Sequence, residues 1–336
     1  MEPIKEPTPL VLVTSSPHMH CGLTIGKSMR EVMLALVPAI IASVYYFRMS
    51  AAIVMVTCVV SAIVFETICN KVMHKPNTVQ DGSAALTGLL LAMCLPASMP
   101  PLFAAMGSMF AIVVGKAVFG GLGCNIFNPA HIGRAILLAS FPQQMTNWVL
   151  PATAAASDAV STATPLAVMR ATEKIWQAGG AASAAKLPDL MNLFWGNVGG
   201  SLGETCVPVL VLGGLYLIYK KLIDWRIPVF YLVTVAILTG VYGAVMGYPS
   251  TFPLYHLFAG GLMIGAFFMA TDWVTSPITK KGKIIYAIGL GVLTSLIRLR
   301  GSYTEGVCYS ILMMNMVTPM IDRFVRNVSF GGGLKK

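Results

Sequence analysis

A short stretch rich in hydroxyl groups lies between apolar segments of this chain. It holds Asp158, Ser161, Thr162 and Thr164 within seven residues, and Arg170 follows. A side-chain hydroxyl is a nucleophile through which a group can become covalently attached. By composition alone, the stretch would instead be a low-complexity Ser/Thr/Ala linker. Its surroundings in the chain help to decide between these two interpretations.

Composition indicates a polytopic membrane protein. Of the 336 residues, 56% are apolar and 11% are charged, against about 25% charged residues in soluble proteins. Mean hydropathy is +0.75. Many runs approach the roughly 20 apolar residues that cross a bilayer core, and helices satisfy their own backbone in lipid. The predicted fold class is an all-α bundle. The net charge of +10 does not indicate nucleic acid, because basic residues in membrane proteins mark cytoplasmic loops.

The apolar runs predict ten transmembrane helices. They lie near residues 31–49, 51–69, 81–97, 100–119, 130–150, 199–219, 228–247, 254–271, 284–299 and 304–321. With the N-terminus inside, only six of the 23 basic residues lie on the outer side, as the positive-inside rule expects. These six are Arg48, Arg170, Lys174, Lys186, Arg298 and Arg300. Both termini are then cytoplasmic, in agreement with the lack of an apolar signal-peptide core near the start.

This topology divides the chain into five parts. They are a cytoplasmic N-terminal segment, a five-span half, an extracytoplasmic loop, a second five-span half and a cytoplasmic tail. Their ranges are 1–30, 31–150, 151–198, 199–322 and 323–336. An odd number of spans makes the second half start from the opposite side, so two inverted repeats are topologically allowed. Asp81–Pro96 is short for a span and ends in proline, which is typical of a half-helix.

Signatures of ATPases, zinc proteases and serine hydrolases are missing from the sequence. The seven cysteines form no C-x-x-C pair, so neither a disulfide framework nor a complete iron–sulfur site is indicated. His18, His20 and Cys21 cluster near the start, but three ligands in a Pro-rich tail fix no geometry. We therefore predict no metal site.

The pattern D-x-x-S-x-A-T, formed by Asp158, Ser161, Ala163 and Thr164, resembles a known flavin-attachment motif. It is similar to that of the RnfD/NqrB family, the membrane subunits of the Rnf complex and of the sodium-pumping NADH:quinone reductase. Six further blocks look like that family's and follow its order. They are "SSPHMHCG", "DGSAALTGLLLAMCLP", "GKAVFGGLGCNIFNPAHIGRA", "FFMATDWVTSPIT", "RLRGSYTEGVCYSILMMN" and "PMIDRFVR".

The resemblance implies that Thr164 carries FMN through a phosphoester, added by an FMN transferase that uses FAD. Many family members have glycine where this chain has Thr162, so Thr162 offers a second hydroxyl for attachment. Arg170 is a candidate to balance the phosphate charge, since arginine binds phosphate bidentately. Simple solvation of Arg170 at the surface is the alternative.

Within the family, chain length favours RnfD, the D-type member of the Rnf complex. The resemblance then implies a redox subunit, not catalytic alone, in the cytoplasmic membrane of a bacterium or archaeon. Its complex transfers electrons between ferredoxin and NAD⁺, coupled to movement of Na⁺ or H⁺. The implied partners are membrane lipid and the other Rnf proteins, RnfA, RnfB, RnfC, RnfE and, above all, the FMN-carrying RnfG.

Polar residues at the inner ends of two spans are candidates for a second flavin. Asn125 and Asn128, with Arg134 nearby, come from one motif, and Asp272 and Thr275 come from another. The resemblance suggests non-covalent riboflavin as the ligand. Helix capping by the same side chains is an equally good interpretation, and the two are compatible.

Carboxylates in or beside apolar segments are candidates for a cation path, because buried charges in membranes are usually functional. They are Glu66, Asp81, Glu204, Asp272 and Glu305. Two alternatives to a redox subunit remain open. One is a ten-span secondary transporter or channel for a small solute, and the other is a structural membrane anchor.

Overall fold

The structure, a computed structural model, describes residues 24–151, 163–177, 187, 189–301 and 303–326, and this part of the chain is helical without a β-strand. Its helices are α1 (Ile25–Val72), α2 (Ser83–Met93), α3 (Pro101–Ile112), α4 (Pro129–Ser140), α5 (Pro142–Met145), α6 (Pro165–Gln177), α7 (Leu190–Trp195), α8 (Val207–Tyr219), α9 (Arg226–Met246), α10 (Phe252–Phe258), α11 (Leu262–Ile264), α12 (Lys280–Arg300) and α13 (Val307–Phe324). Wider π-helical turns extend α3 over Val113–Ala117 and α11 over Gly265–Met269.

Three helices of the described chain are long and apolar enough to cross a membrane by themselves. They are α1 with 48 residues, and α9 and α12 with 21 residues each. A kink at Arg48, whose φ is +53°, divides α1 between the first two predicted spans. Helix α10 and the extended α11 meet at an angle of 65° and together have the length and apolar composition of a broken span or a re-entrant loop. The chain is thus a multi-pass membrane protein, as its composition predicts, and the total of ten spans stays a prediction.

Two of the predicted spans are only partly helical. Helix α2 has 11 residues and a length of about 16 Å, roughly half of a bilayer core. It stops at Met93, close to Pro96, as expected for the half-helix. The span predicted over 199–219 is helical only from Val207, apart from one 3-10 turn at Leu202–Glu204.

The non-helical segments after α2 and before α8 are joined by a backbone hydrogen bond. The amide of Leu202 donates to the carbonyl of Leu95 at 3.0 Å. The carbonyl of Leu202 in turn accepts from the hydroxyl of Ser43 at 2.7 Å. Unpaired peptide groups are very costly in lipid, so non-helical backbone at this depth must be enclosed by protein. The contact also joins the two halves of the chain.

The helices pack as two similar blocks. In the first, α1 packs on α2 and α3, and α3 packs on α4. In the second, α9 packs on α10 and α12, and α12 packs on α13. Helices α1 and α8, and helices α4 and α13, join the blocks around a shared apolar core. Two inverted repeats would give this order of contacts, and the repeat itself stays a prediction.

The connection predicted as a hydrophilic loop over 151–198 contains two helices that the sequence analysis missed. Helix α6 is amphipathic and has 13 residues, so its sequence lacks the long apolar run that predicts a membrane span. Helix α7 has six residues and ends at Gly196, whose φ is +86°. The three motif residues Asp158, Ser161 and Thr162 lie outside the described residues.

Helices α3 and α4 approach each other at a glycine contact. A Cβ atom at Gly133 would lie 2.5 Å from the carbonyl oxygen of Gly107 and 3.0 Å from Cβ of Ala111. The first distance is too short for any real contact with a backbone atom. A side chain at Gly133 would therefore push α4 away from α3.

We expect Gly133→Ala to destabilise the protein by about 1–3 kcal/mol, the usual cost of forcing an extra methyl group into a packed contact. Thermal unfolding of the detergent-purified chain measures the effect. Gly240→Ala is the matched control in α9, because its Cβ would meet only Pro253 at 3.5 Å. Equal melting temperatures for the two variants would contradict the close α3–α4 contact.

Candidate functional site

Thr164 lies at the N-terminus of α6. Its carbonyl accepts from the amide of Val168 at 3.0 Å, and its hydroxyl oxygen accepts from the amide of Ala167 at 3.2 Å. Pro165 follows at the first helical position, where it needs no hydrogen bond. Thr164 is thus the N-cap residue of α6, and its hydroxyl points toward a helix end that favours negative charge. A phosphoester at this oxygen would lie at a favourable place.

Helix α6 packs on the second block of the protein. Leu166 and Met169 are buried in a small apolar cluster with Phe252 and Ala259. The guanidinium of Arg170 donates to the carbonyl of Gly301, in the loop between α12 and α13. The predicted role of Arg170 toward a flavin phosphate stays a prediction.

A buried carboxylate lies on the packed face of α6. Burial raises the pKa of Glu173 to about 7, against the lowering effect of Arg170. One oxygen of Glu173 is 4.0 Å from Nε2 of His256 in α10. The face of α6 that packs on the membrane helices therefore contains a carboxylate as well as apolar side chains.

Helices α10 and α11 form a broken helix next to α6. At the break, charged side chains hydrogen-bond to backbone groups at the end of α10 and before α11. The guanidinium of Arg298 donates to the carbonyls of His256 at 2.5 Å and of Ala259 at 3.1 Å, where α10 ends. A carboxylate oxygen of Glu305 accepts from the amide of Gly261 at 2.9 Å, just before α11 begins. A cation at a helix C-terminus and an anion at an N-terminus are the stabilising arrangement.

Arg134 of α4 forms an ion pair with Glu305 across the two halves of the protein. Both terminal nitrogens of Arg134 bond to the Glu305 carboxylate, and the two side chains are 6% and 14% exposed. Glu204 lies close enough to interact electrostatically with both Arg134 and Glu305. Its carboxylate accepts a hydrogen bond from the hydroxyl of Ser201 at 2.9 Å. The structure thus brings together Glu204 and Glu305, two of the predicted ion-path residues.

Two other predicted ion-path carboxylates, Glu66 and Asp81, lie in a separate cluster around Lys116. The ammonium of Lys116 is bonded to both oxygens of Glu66 at 2.9 and 2.8 Å and to the hydroxyl of Ser83 at 2.6 Å. The Ser83 hydroxyl donates to Asp81 at 2.6 Å. All three donors of the lysine are satisfied. Lys116 was counted from the sequence among the basic residues of the cytoplasmic side, and the structure buries its side chain to 4% exposure.

A cavity of about 260 Å³ lies beside Lys116. Its walls are mainly apolar and come from the start of α1, from α2, α4 and α8, and from the segment after α11. They include Met29, Leu86, Leu90, Leu217 and Phe268. The volume far exceeds the roughly 10–15 Å³ that one water needs. An apolar cavity with a few polar groups is the usual form of a site for a small organic ligand.

Three of the four residues predicted for a second flavin line this cavity, namely Asn125, Asn128 and Asp272. The fourth, Thr275, donates its hydroxyl to Asp272 at 3.1 Å. Arg134, from the same sequence motif, does not line the cavity, since its side chain pairs with Glu305.

The same residues also cap and brace helices. Asn128 is the N-cap of α4, with its side-chain oxygen accepting from the amide of Ala130 at 3.1 Å. Its amide nitrogen donates to the carbonyl of Met269 at 3.1 Å. Asn128 thus both caps α4 and lines the cavity.

Comparison with known proteins shows the family of this chain. Residues 12–331 match the model of the NQR2, RnfD, RnfE family, and this range includes nearly the whole chain. This chain belongs to that family. A relative from Clostridium ljungdahlii, the D subunit of a proton-translocating ferredoxin:NAD(+) oxidoreductase complex, is 52% identical over 95% of this chain and 96% of the relative. The D subunit of the Na(+)-translocating complex from Acetobacterium woodii is 44% identical, with 95% of each chain covered.

In this member of the NQR2, RnfD, RnfE family, Thr164 and the cavity lie at opposite ends of the bundle. Helix α12 connects the two ends. Its first turns lie near the cavity, and the loop after it accepts the bond from Arg170. The 21 residues of α12 span about 30 Å at 1.5 Å per residue.

We expect Glu305→Gln to destabilise the protein by about 3–5 kcal/mol, because it leaves Arg134 as an uncompensated buried charge. The double variant Arg134→Gln with Glu305→Gln should recover part of the loss. Thermal unfolding of the detergent-purified chain measures both effects. Lys220→Gln is the control, since its 3.9 Å pair with Glu31 is half exposed and should contribute at most about 1 kcal/mol. A similar loss in Glu305→Gln and Lys220→Gln would rule out the central role of the buried pair.

Proposed function

We propose that this protein is the RnfD membrane subunit of an ion-translocating ferredoxin:NAD⁺ oxidoreductase, the Rnf complex. The similarity to two D subunits over almost the entire length of each chain is the observation that carries this proposal. The proposal places the protein in the cytoplasmic membrane with both termini inside and α6 outside. The complexes of the two relatives are named for different ions, H⁺ and Na⁺, so the proposal covers both.

In the proposed complex, the partners are RnfA, RnfB, RnfC, RnfE and RnfG. Ferredoxin and NAD⁺ react in the cytoplasm, so a redox group at the outer end serves only as a relay. RnfG, with its own FMN, is the proposed neighbour on that side. Electrons then return inward through this protein, and their passage is coupled to movement of the ion.

Thr164 is the proposed attachment point of FMN. Its hydroxyl replaces AMP on the flavin phosphate of FAD, so that one phosphoester bond forms, one phosphoanhydride bond breaks and AMP leaves. An FMN transferase on the outer side catalyses this step. When bound, the flavin supplies the electron-transfer chemistry that no side chain of the protein offers.

The protein's own residues position this group. The hydroxyl of Thr164 caps α6, and the first amides of α6 favour the phosphate charge. Leu166 packs over Gly260, whose φ of +72° and missing side chain allow the close approach. Helix α6 is thereby fixed above the broken helix and the Arg134–Glu305 pair.

The inner cavity is the proposed site of a second, non-covalent flavin. Leu86, Leu90 and Phe268 offer an apolar surface to a flat ring system, while Asn125 and Asp272 offer hydrogen-bonding groups at one side. The ligand proposed for this cavity is riboflavin or a closely related flavin. Electrons would then pass between the two ends of the bundle through this one protein.

Thr164→Asn should abolish covalent flavin and leave α6 folded. Asparagine is a good N-cap but has no hydroxyl, so the variant separates attachment from helix stability. The purified protein from a host with the transferase is denatured and run on a gel, and flavin fluorescence of the band is recorded. Thr164→Ser should keep the signal, because it keeps the hydroxyl.

Thr162→Val is the control for the neighbouring hydroxyl and should also keep the signal. Fluorescence that survives Thr164→Asn and disappears in Thr162→Val would move the attachment to Thr162. A wild-type band without fluorescence would favour the ten-span transporter or channel without a redox role. Full electron flux through a complex with Thr164→Asn would favour a structural anchor.

Leu90→Trp should fill the inner cavity and release the second flavin. The measurement is mass spectrometry of flavins extracted from the purified complex without breaking covalent bonds, in the Thr164→Asn background. Leu212→Trp is the matched control, because Leu212 is 64% exposed on α8 and does not line the cavity. If no free flavin is extracted from the Leu212→Trp complex, the polar residues of the inner cavity serve only to cap helices.

A further inference from the structure

Glu173 of α6 is a buried carboxylate that the proposed electron path does not use. Its side chain is 8% exposed. It follows Leu166 and Met169 at helical spacing, so all three lie on the face of α6 that packs on the membrane helices. Glutamate is almost never buried in proteins unless it is paired. The groups around this carboxylate therefore decide what it does.

The side chain that faces Glu173 from α10 is His256. Its Nε2 lies 4.0 Å from one oxygen of Glu173, which is too long for a hydrogen bond. Both ring nitrogens of His256 are buried, and neither has a hydrogen-bond partner among the described residues. The imidazole packs edge-on against Phe252, with 4.7 Å between the ring centroids. The carboxylate and the imidazole thus meet in largely apolar surroundings.

Two arginines determine which charge this contact can hold. Arg170 of α6 attracts the Glu173 carboxylate, and its guanidinium also donates to the carbonyl of Gly301. Arg298 of α12 donates to the carbonyl of His256, so a protonated imidazole would lie beside a buried positive charge. Three tyrosines packed on the same cluster carry no charge near neutral pH, namely Tyr242, Tyr248 and Tyr255. A proton bound at this contact therefore belongs on Glu173, with His256 neutral.

The charge on Glu173 depends on whether α6 is packed. Burial raises the pKa of Glu173 from 4.5 to about 7, although Arg170 lowers it. Packed α6 therefore keeps a proton that detached α6 releases, and rising pH weakens the packing. The stabilisation from this proton is complete below about pH 4.5 and is lost as the pH rises through about 7. Between pH 6 and 8, the equilibrium shifts toward detached α6 by about tenfold.

Thr164, at the start of the same helix, is buried as well. It is 9% exposed, and its hydroxyl oxygen accepts from the amide of Ala167 at 3.2 Å. A transferase has to bring the phosphate of FAD to this oxygen, in line with the departing AMP. Protein encloses the oxygen while α6 is packed. Attachment of a flavin therefore requires the start of α6 to move away from the bundle.

We propose that Glu173 is a proton-dependent switch, whose protonated form holds α6 against α10 and whose ionised form releases α6 and exposes Thr164. In the released state, the Thr164 oxygen bonds to the phosphorus of FMN and the bond from this phosphorus to AMP breaks. AMP and the hydroxyl proton leave. The release of α6 is independent of any flavin, whereas its use for attachment rests on the proposed role of Thr164.

Hydrogen exchange tests the release of α6. It is measured at pH 6 and 8 on the full-length chain, purified in detergent from a host without the transferase, and corrected for the intrinsic rate at each pH. Protection of residues 166–173 should fall about tenfold from pH 6 to 8. Glu173→Gln and Glu173→Met stay neutral, so both variants should show equal protection at the two pH values. Lys174→Gln is the matched control, because Lys174 is exposed, and it should keep the pH dependence.

The rate of flavin attachment tests the exposure of Thr164. Purified FMN transferase and FAD are added to the same chains, and flavin fluorescence of the denatured band is followed with time. The ratio of the wild-type rate to the Glu173→Gln rate cancels the pH dependence of the transferase itself. This ratio should rise about tenfold from pH 6 to 8.

A variant that loosens α6 at every pH should speed attachment at pH 6. Met169→Gln is suited to this, because Met169 is 3% exposed and packs in the same cluster. Ala171→Gln is the matched control on the exposed face of α6 and should leave the rate unchanged.

Each result decides one part of the inference. Equal protection of α6 at both pH values in the wild-type chain, or a pH dependence that persists in Glu173→Gln and Glu173→Met, would overturn the switch. A rate ratio that is constant with pH, while α6 opens, would overturn the link to attachment. If α6 opens with pH as expected but no chain gains flavin under any condition, the switch stands and the proposed role of Thr164 fails.

Discussion

The ion pair between Arg134 and Glu305 is the interaction on which the packing around the broken helix α10–α11 depends. A helix that breaks inside a membrane exposes carbonyls at one end and amides at the other, and lipid satisfies neither. Here Arg298 binds the carbonyls at the end of α10, and Glu305 binds an amide before α11. Glu305 is in turn bonded to Arg134, and breaking such a buried pair is costly. The pair therefore makes the break possible and joins α4 of the first half to the second half.

The position of the proposed flavin follows from this break. With α10 and α11 fixed at 65°, Gly260 offers a surface without a side chain, and Leu166 of α6 packs there. Thr164 is thereby held at one end of the bundle. At the other end, the pairing of Lys116 with Glu66 plays a similar part, because it satisfies a buried lysine beside the cavity without drawing on Asp272. Both ends of the proposed electron path thus rest on buried pairs of opposite charge.

The all-helical, multi-pass membrane character of the chain could be predicted from the sequence, because long apolar runs are visible locally. The total of ten spans and the orientation read from the basic residues stay predictions. The half-helix before Pro96 and the association of Asn125, Asn128 and Asp272 could also be predicted, since proline and polar residues at span ends are visible locally. The break at Ala259–Gly261 and the pairing of Arg134 with Glu305 could not. Both depend on contacts between residues far apart in the chain, and an apolar run gives no sign that its helix is interrupted. Helix α6 was missed because its stability comes from packing on the second block.

The central claim is that Thr164 carries the flavin at the outer end of this bundle. Mass spectrometry of the denatured chain, followed by fragmentation of the peptide that contains residues 158–170, tests it most directly. The account predicts a chain heavier by one FMN less one water, with the added mass on Thr164 alone. An unmodified peptide from a host that contains the transferase, or the added mass on Thr162, would contradict it.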